Sequence, residues 1–212
     1  MKILTLDGNS DELTQRSSEY RKKNVYDIHF AGHDVTHLGA AQPPIRGLVS
    51  EEAKKDGLKF ITGASHGSES RSYTGNSAEV LYTVDGYEKE EVSGKIVHFL
   101  SCGVGGELGP NMVDKGCLAF FGYKDDFSLK GEAADIFLEC DSAIDIGLLQ
   151  GLTAGEVFDQ VIALFNQRIA ELRKGKKNYA AMWLRFNRDS LCAPSRNTDG
   201  NRPWGDVSAR LS

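Results

Sequence analysis

Short, dense hydrophobic runs alternate along the chain with longer amphipathic or polar stretches, the pattern of strands and their covering helices. Met1 to Gly8 predicts a first strand and Ser10 to Lys23 a polar helix. Val25 to Ala31 alternates well enough for a second strand. Pro43, Pro44 and Gly47 interrupt the pattern, and Ser50 to Lys55 predicts a short helix. Leu58 to Ser65 and Lys95 to Ser101 are β-branched and aromatic runs that read as buried strands. Between them lies a polar excursion from Ser68 to Asn76, then an edge strand or hairpin over 78–84 with Asp85-Gly86 as its turn signal.

Beyond Cys102, residues 107–115 predict a short helix closed by Gly116, with Pro110 tolerable only near its start. Cys117 to Tyr123 predicts a strand, and two helices follow over 131–149 and 153–173. In the second, Val157, Val161, Leu164, Phe165 and Ile169 recur at helical spacing, and Thr153 with Glu156 forms a capping box. Tyr179 to Phe186 predicts a last strand, and the polar stretch 194–212 a loosely held tail. The alternation argues for an α/β fold: a three-layer α-β-α sandwich around a mostly parallel sheet, with one domain over 1–193 followed by the tail. Parallel strands joined by right-handed crossovers present their carboxyl ends on one edge.

Composition narrows the function. The 212 residues, 40% hydrophobic and 26% charged with a net charge of -5, suit a single globular domain and offer no general attraction to nucleic acid or anionic membrane. No stretch approaches the roughly 20 apolar residues that span a bilayer. Cys102, Cys117, Cys140 and Cys192 form neither a Cys-x-x-Cys pair nor a dense framework, which predicts a reduced, cytoplasmic protein.

Candidate chemistry sits at the ends of the two strongest strands. One delivers His66-Gly67 and the other Cys102-Gly103. On neighbouring strands, a base and a thiol would share one rim of the sheet, as cysteine acyl transfer requires. The imidazole would help form the thiolate and later protonate the leaving amine. Gly67 is the preferred oxyanion donor, with the N–H groups of Cys102 and Gly103 beside it. The blander reading makes Cys102 a buried small hydrophobe.

Two rivals use other residues. Gly63-Ala64-Ser65-His66-Gly67 matches the Gly-x-Ser-x-Gly elbow of serine hydrolases, but polar residues follow it where a buried helix is needed. His29, His33 and His37 are spaced by four, yet glycines argue against a helix there and no Glu stands in the His-Glu-x-x-His order, so no metal is expected. Asp34 is a candidate to orient the base. No Gly-rich segment has phosphate- or dinucleotide-binding spacing, so no cofactor is expected.

The two blocks, Phe60 to Gly67 and Ile96 to Gly103, with Lys115 to Tyr123 after them, resemble the caspase-like (clan CD) cysteine peptidase superfamily. That group embraces caspases, legumain, gingipains, clostripain, separase and the bacterial CHAT domains, and the likeness is nearest the CHAT, clostripain-like and separase-like branches, over roughly 25–187. It implies a caspase-like fold and a cysteine endopeptidase with a His66–Cys102 dyad, a thioacyl intermediate on Cys102, and a protein or peptide substrate. The Gln-Ala-Cys-x-Gly signature of true caspases is absent, so their Asp preference is not expected. An acidic residue in the loop after the Cys117–Tyr123 strand selects a basic side chain in separase-like and CHAT-like relatives. Asp125 or Asp126 would suit that role here, by charge and geometry. A catalytically silent interaction module remains the alternative. A latent peptidase opened by a partner or ligand is another, with 68–76 and 125–130 as activation segments.

Overall fold

The computed structural model describes residues 1–39, 44–68, 72–74, 79–195 and 203–211, with the backbone alone at 72 and 74. Its main sheet has six strands: β1 (Lys2–Leu6), β2 (Asp34–Leu38), β3 (Leu58–Ala64), β7 (Ile96–Leu100), β8 (Ala119–Tyr123) and β9 (Leu191–Cys192). The order is β2-β1-β3-β7-β8-β9. Every pairing is parallel except that of β9, which runs antiparallel to β8. A smaller antiparallel sheet, β4 (Gly67–Ser68), β5 (Ser72–Thr74) and β6 (Val80–Thr83), fills the excursion between β3 and β7. The fold is the expected three-layer α/β/α sandwich. Among the described residues no helix is long and apolar enough to cross a membrane.

Side-chain alternation sorts the strands' residues onto two faces. On one face, which α1 (Glu12–Arg21) and α2 (Asp27–His29) help cover, Ile3, Phe60, Ile96, Ala119 and Phe121 join a core with Val25, Tyr26 and Phe30 of the segment that continues α1, and with α6 (Ala134–Leu149). Outside α6 lie α7 (Ala154–Lys174) and α8 (Asn178–Ser190). On the other face Leu4, Leu6, Ile61, Val97, Phe99 and Phe120 pack against α3 (Arg46–Ala53), α4 (Lys89–Val92), α5 (Leu108–Asp114) and the small sheet. Tyr73 of β5 stacks on Phe99 at 4.0 Å and donates to the Leu6 carbonyl. Gly63 permits this approach, because a Cβ there would lie 2.0 Å from the Leu6 oxygen and 2.6 Å from the Tyr73 hydroxyl.

Three expectations change. Val25 to Ala31 is helical: residues 22–26 form a π-helical turn that runs from α1 into α2, burying Val25, Tyr26 and Phe30 in the α1 and α6 layer. The second strand lies later, over Asp34–Leu38, an edge strand whose half-exposed residues give little hydrophobic signal. Tyr179 to Phe186 belongs to α8, where Ala181, Leu184 and Asn187 are buried at three-residue intervals. The described tail segment 203–211 is bonded to the domain: Trp204 Nε1 donates to the Gly105 carbonyl at 2.8 Å, and the N–H groups of Ala154 and Gly155 donate to the carbonyls of Ala209 and Val207. Residues 196–202 lie outside the described set.

Candidate active site

The strand register builds the site. In the parallel β3–β7 pair Gly63 faces Phe99 and Ala64 faces Leu100, and the Ser65 N–H donates to the Leu100 carbonyl at 3.1 Å. Continuing that register sets His66 beside Cys102 at the carboxyl edge of two adjacent central strands. Both residues are half-buried and line one pocket, which α1 closes with Leu13 and the loop after β8 closes with Phe127 and Leu129.

The N-terminus of α1 adds an acid that the sequence reading missed. Asp11 is the N-cap of α1, in a reciprocal capping box with Thr14. Its Oδ1 accepts the Thr14 N–H at 2.9 Å while its Oδ2 lies 2.5 Å from His66 Nε2. Thr14 and then His66 hold the Asp11 carboxyl below its ordinary range, against a desolvation penalty smaller than the Thr14 contribution. Asp34, by contrast, is paired with Lys2 at the opposite end of β1 and cannot orient His66. The Asp-x-x-Thr cap at the head of a helix was legible; its pairing with a histidine 55 positions away was not.

Burial pushes the Cys102 pKa up, the Phe127 N–H opposes this, and the neighbouring Asp126 carboxylate, which accepts from the thiol, adds to the rise. Asp126 therefore stands beside the sulfur and is not among the residues lining the pocket. Asp125 is exposed, and its carbonyl accepts the Gly103 N–H at 3.1 Å. That bond commits one of the three expected oxyanion donors, because a backbone N–H already directed at a carbonyl cannot turn to a substrate oxygen without breaking the loop contact. Gly67 begins β4, opposite Tyr73 of β5.

Ser65 is buried, and the chain after it enters β4 instead of a helix, so the elbow lacks its defining context. His29 ends α2 and His37 lies in β2, with its Nδ1 2.8 Å from Thr5 Oγ1. No group of three or more potential metal ligands occurs among the described residues. Of the expected activation segment 68–76, residues 69–71 and 75–76 lie outside the described residues.

Beneath the rim lies a buried ionic layer. Arg21, fully buried, reaches Asp145 at 2.8 Å, Asp141 at 3.4 Å and Thr62 at 2.6 Å. His98 bridges the same two carboxylates at 2.8 and 3.2 Å. Burial opposes the imidazolium, but Asp141 and Asp145 outweigh it and raise His98 to about 9. Asp7 is pushed up by burial despite Arg21, and it accepts the Ala64 N–H at 2.9 Å, two residues before His66. Arg21 and His98 thus share the carboxyl groups of Asp7, Asp141 and Asp145 in a site too dry to tolerate an unpaired charge.

No protein-family model matches the chain, and no curated protein matches it. Among solved structures, a chain of the Saccharomyces cerevisiae separase–securin complex matches with a TM-score of 0.55 at 12% identity, over 92% of this chain. This chain spans about a tenth (11%) of that one's length. At such identity the likeness speaks for the fold, and most of the chain takes part in it. The fold is consistent with the caspase-like fold that the sequence resemblance implies.

Proposed function

We propose that the chain is a cysteine endopeptidase that works through His66 and Cys102. The observation that carries this reading is the placement of both residues on one pocket at the ends of adjacent parallel strands. In this reading His66 takes the Cys102 proton and the thiolate attacks the scissile carbonyl carbon. The oxyanion is held by backbone N–H groups, those of Gly67 and Cys102 being the candidates. As the C–N bond breaks, His66 returns the proton to the leaving amine and a thioacyl group remains on Cys102. Water, deprotonated by His66, then releases the acid and restores the thiol. Asp11 acts as a positioning residue, holding Nε2 so that Nδ1 carries the proton exchange.

A second reading has its own support. The thiol directed at Asp126 and raised by burial is a resting state poor in thiolate, which suits a latent enzyme or a silent interaction module. Peptidyl acyloxymethyl ketones separate the readings. Labelling at Cys102 that disappears in Cys102→Ala and His66→Ala supports turnover chemistry. No labelling by any member of a set varied at the residue next to the warhead favours the silent module, and labelling of Ser65 would favour a serine hydrolase.

A further inference from the structure

We infer that the pocket beside Cys102 takes a small uncharged side chain, of alanine, threonine or valine size, as the residue before the scissile bond. The inference rests on the peptidase reading and specifies its substrate. The carbonyl carbon that Cys102 attacks is bonded to the α-carbon bearing that side chain, so the cavity adjoining the sulfur receives it.

Three properties of the cavity decide its occupant. Its volume is about 70 Å³, less than half of the roughly 150 Å³ that accommodates a benzene ring. Its walls are largely apolar, with Leu13, Ala64, Leu100, Phe127 and Leu129 on different sides. Thr14 and Ser17 contribute hydroxyls that already donate, to Asp11 and to the Leu13 carbonyl. Among the described residues its lining has no aspartate, glutamate, lysine or arginine. A lysine or arginine placed there would find no carboxylate among the described lining residues to pair with. The two nearest acids are engaged elsewhere, Asp11 with His66 and Asp126 with the Cys102 thiol. The basic preference expected from the acid-bearing loop thus has no carboxylate within the cavity to carry it.

The test is a series of fluorogenic peptides identical except for Ala, Thr, Val, Phe, Asp, Lys or Arg before the scissile bond, read as kcat/KM. Ala, Thr and Val should exceed Arg and Lys by at least tenfold. Leu13→Asp supplies a gain-of-function arm. Leu13 is exposed and lies in the first turn of α1, where a carboxylate suits the helix terminus, so the fold should tolerate the change. The added charge at the cavity wall should raise the Arg-to-Val ratio at least tenfold. Arg or Lys as the best substrate of the unaltered protein would overturn the inference and make Asp126 the reader of a basic residue, with the peptidase reading intact. An unchanged ratio in Leu13→Asp would also overturn it, by showing that the cavity does not hold this side chain. Absence of cleavage and of Cys102 labelling across the whole series would overturn the peptidase reading, and this inference with it.

Discussion

Asp11 carries two tasks that substitution can separate. As an N-cap it satisfies the Thr14 N–H, and as an acid it meets His66 Nε2 at 2.5 Å. Asn caps a helix about as well as Asp, whereas Ala costs about 1 kcal/mol at such a position. Asp11→Ala should therefore lower the melting temperature by about 2–4 °C for a chain of this size, and Asp11→Asn should leave it nearly unchanged. The negative charge facing His66 is lost in both. A hydrogen bond to a charged group is worth about 1.5–3 kcal/mol, and side chains each 45% exposed place this one near the lower end. Both variants should lose about tenfold in kcat/KM, since 1.4 kcal/mol is one decade of rate. The stability arm has a pH signature. The folded carboxyl is held below its unfolded value, so its contribution is present above about pH 4 and fades as pH falls through the folded pKa. Asp11→Asn should lack that acid-side loss. The measurements are thermal melts from pH 2.5 to 7 and kcat/KM on one cleavable peptide. Full activity in Asp11→Asn with a destabilised Asp11→Ala would reduce Asp11 to a cap and refute its positioning role.

Three further outcomes follow from the same structure. Asp126→Asn should speed alkylation of Cys102 by iodoacetamide at pH 7, because it removes the carboxylate that helps hold the thiol up; an unchanged rate would show that burial alone does so. His98→Leu should cost about 3–5 kcal/mol in urea unfolding near pH 6, by leaving Asp141 and Asp145 short of a buried partner. Because the folded imidazole is raised to about 9 from an unfolded value near 6.5, the wild-type advantage should be complete below pH 6.5 and shrink as pH rises through 9; a pH-independent difference would argue against a charged His98. Trp204→Ala should cost about 2 kcal/mol, less than a fully buried tryptophan, and expose the C-terminal segment to limited proteolysis; unaltered protease resistance would show that the 207–209 contacts hold the segment alone.

The sheet's centre was legible because its strands are buried on both faces and read as continuous apolar runs: β3, β7 and β8 lie where Leu58–Ser65, Lys95–Ser101 and Cys117–Tyr123 predict them. The periphery was not. The edge strand β2, Asp34–Leu38, holds two charged or ionisable residues in five and offers no run to detect. Two helical segments were mistaken for strands. In Val25–Ala31 a π-helical turn displaces the 3.6-residue rhythm, and in Tyr179–Phe186 exposed Tyr179, Met182 and Phe186 mask the buried face of α8. At the site, His66 and Cys102 announce themselves because each ends a strong strand at a glycine. Asp11 does not, since its partner lies on another element and only the docking of α1 over β3 joins them.

That docking explains why so costly a layer of buried charge lies beneath the rim. Arg21 closes α1, and its guanidinium ties the helix to Thr62 of β3 and to Asp141 and Asp145 of α6. Asp7, at the end of β1, receives the Ala64 N–H and so pins the last residues of β3 against its neighbour strand. The head of α1 carries Asp11 and the end of β3 carries His66, so the same ionic layer fixes both members of the 2.5 Å contact from below. An apolar core of equal volume could match the stability, because a buried ion pair repays little of its desolvation cost. It would not set the rotation of α1 over the sheet, since apolar packing tolerates sliding that directed hydrogen bonds do not. The network thus contributes alignment as well as stability: it ties together the elements that bring Asp11 to His66.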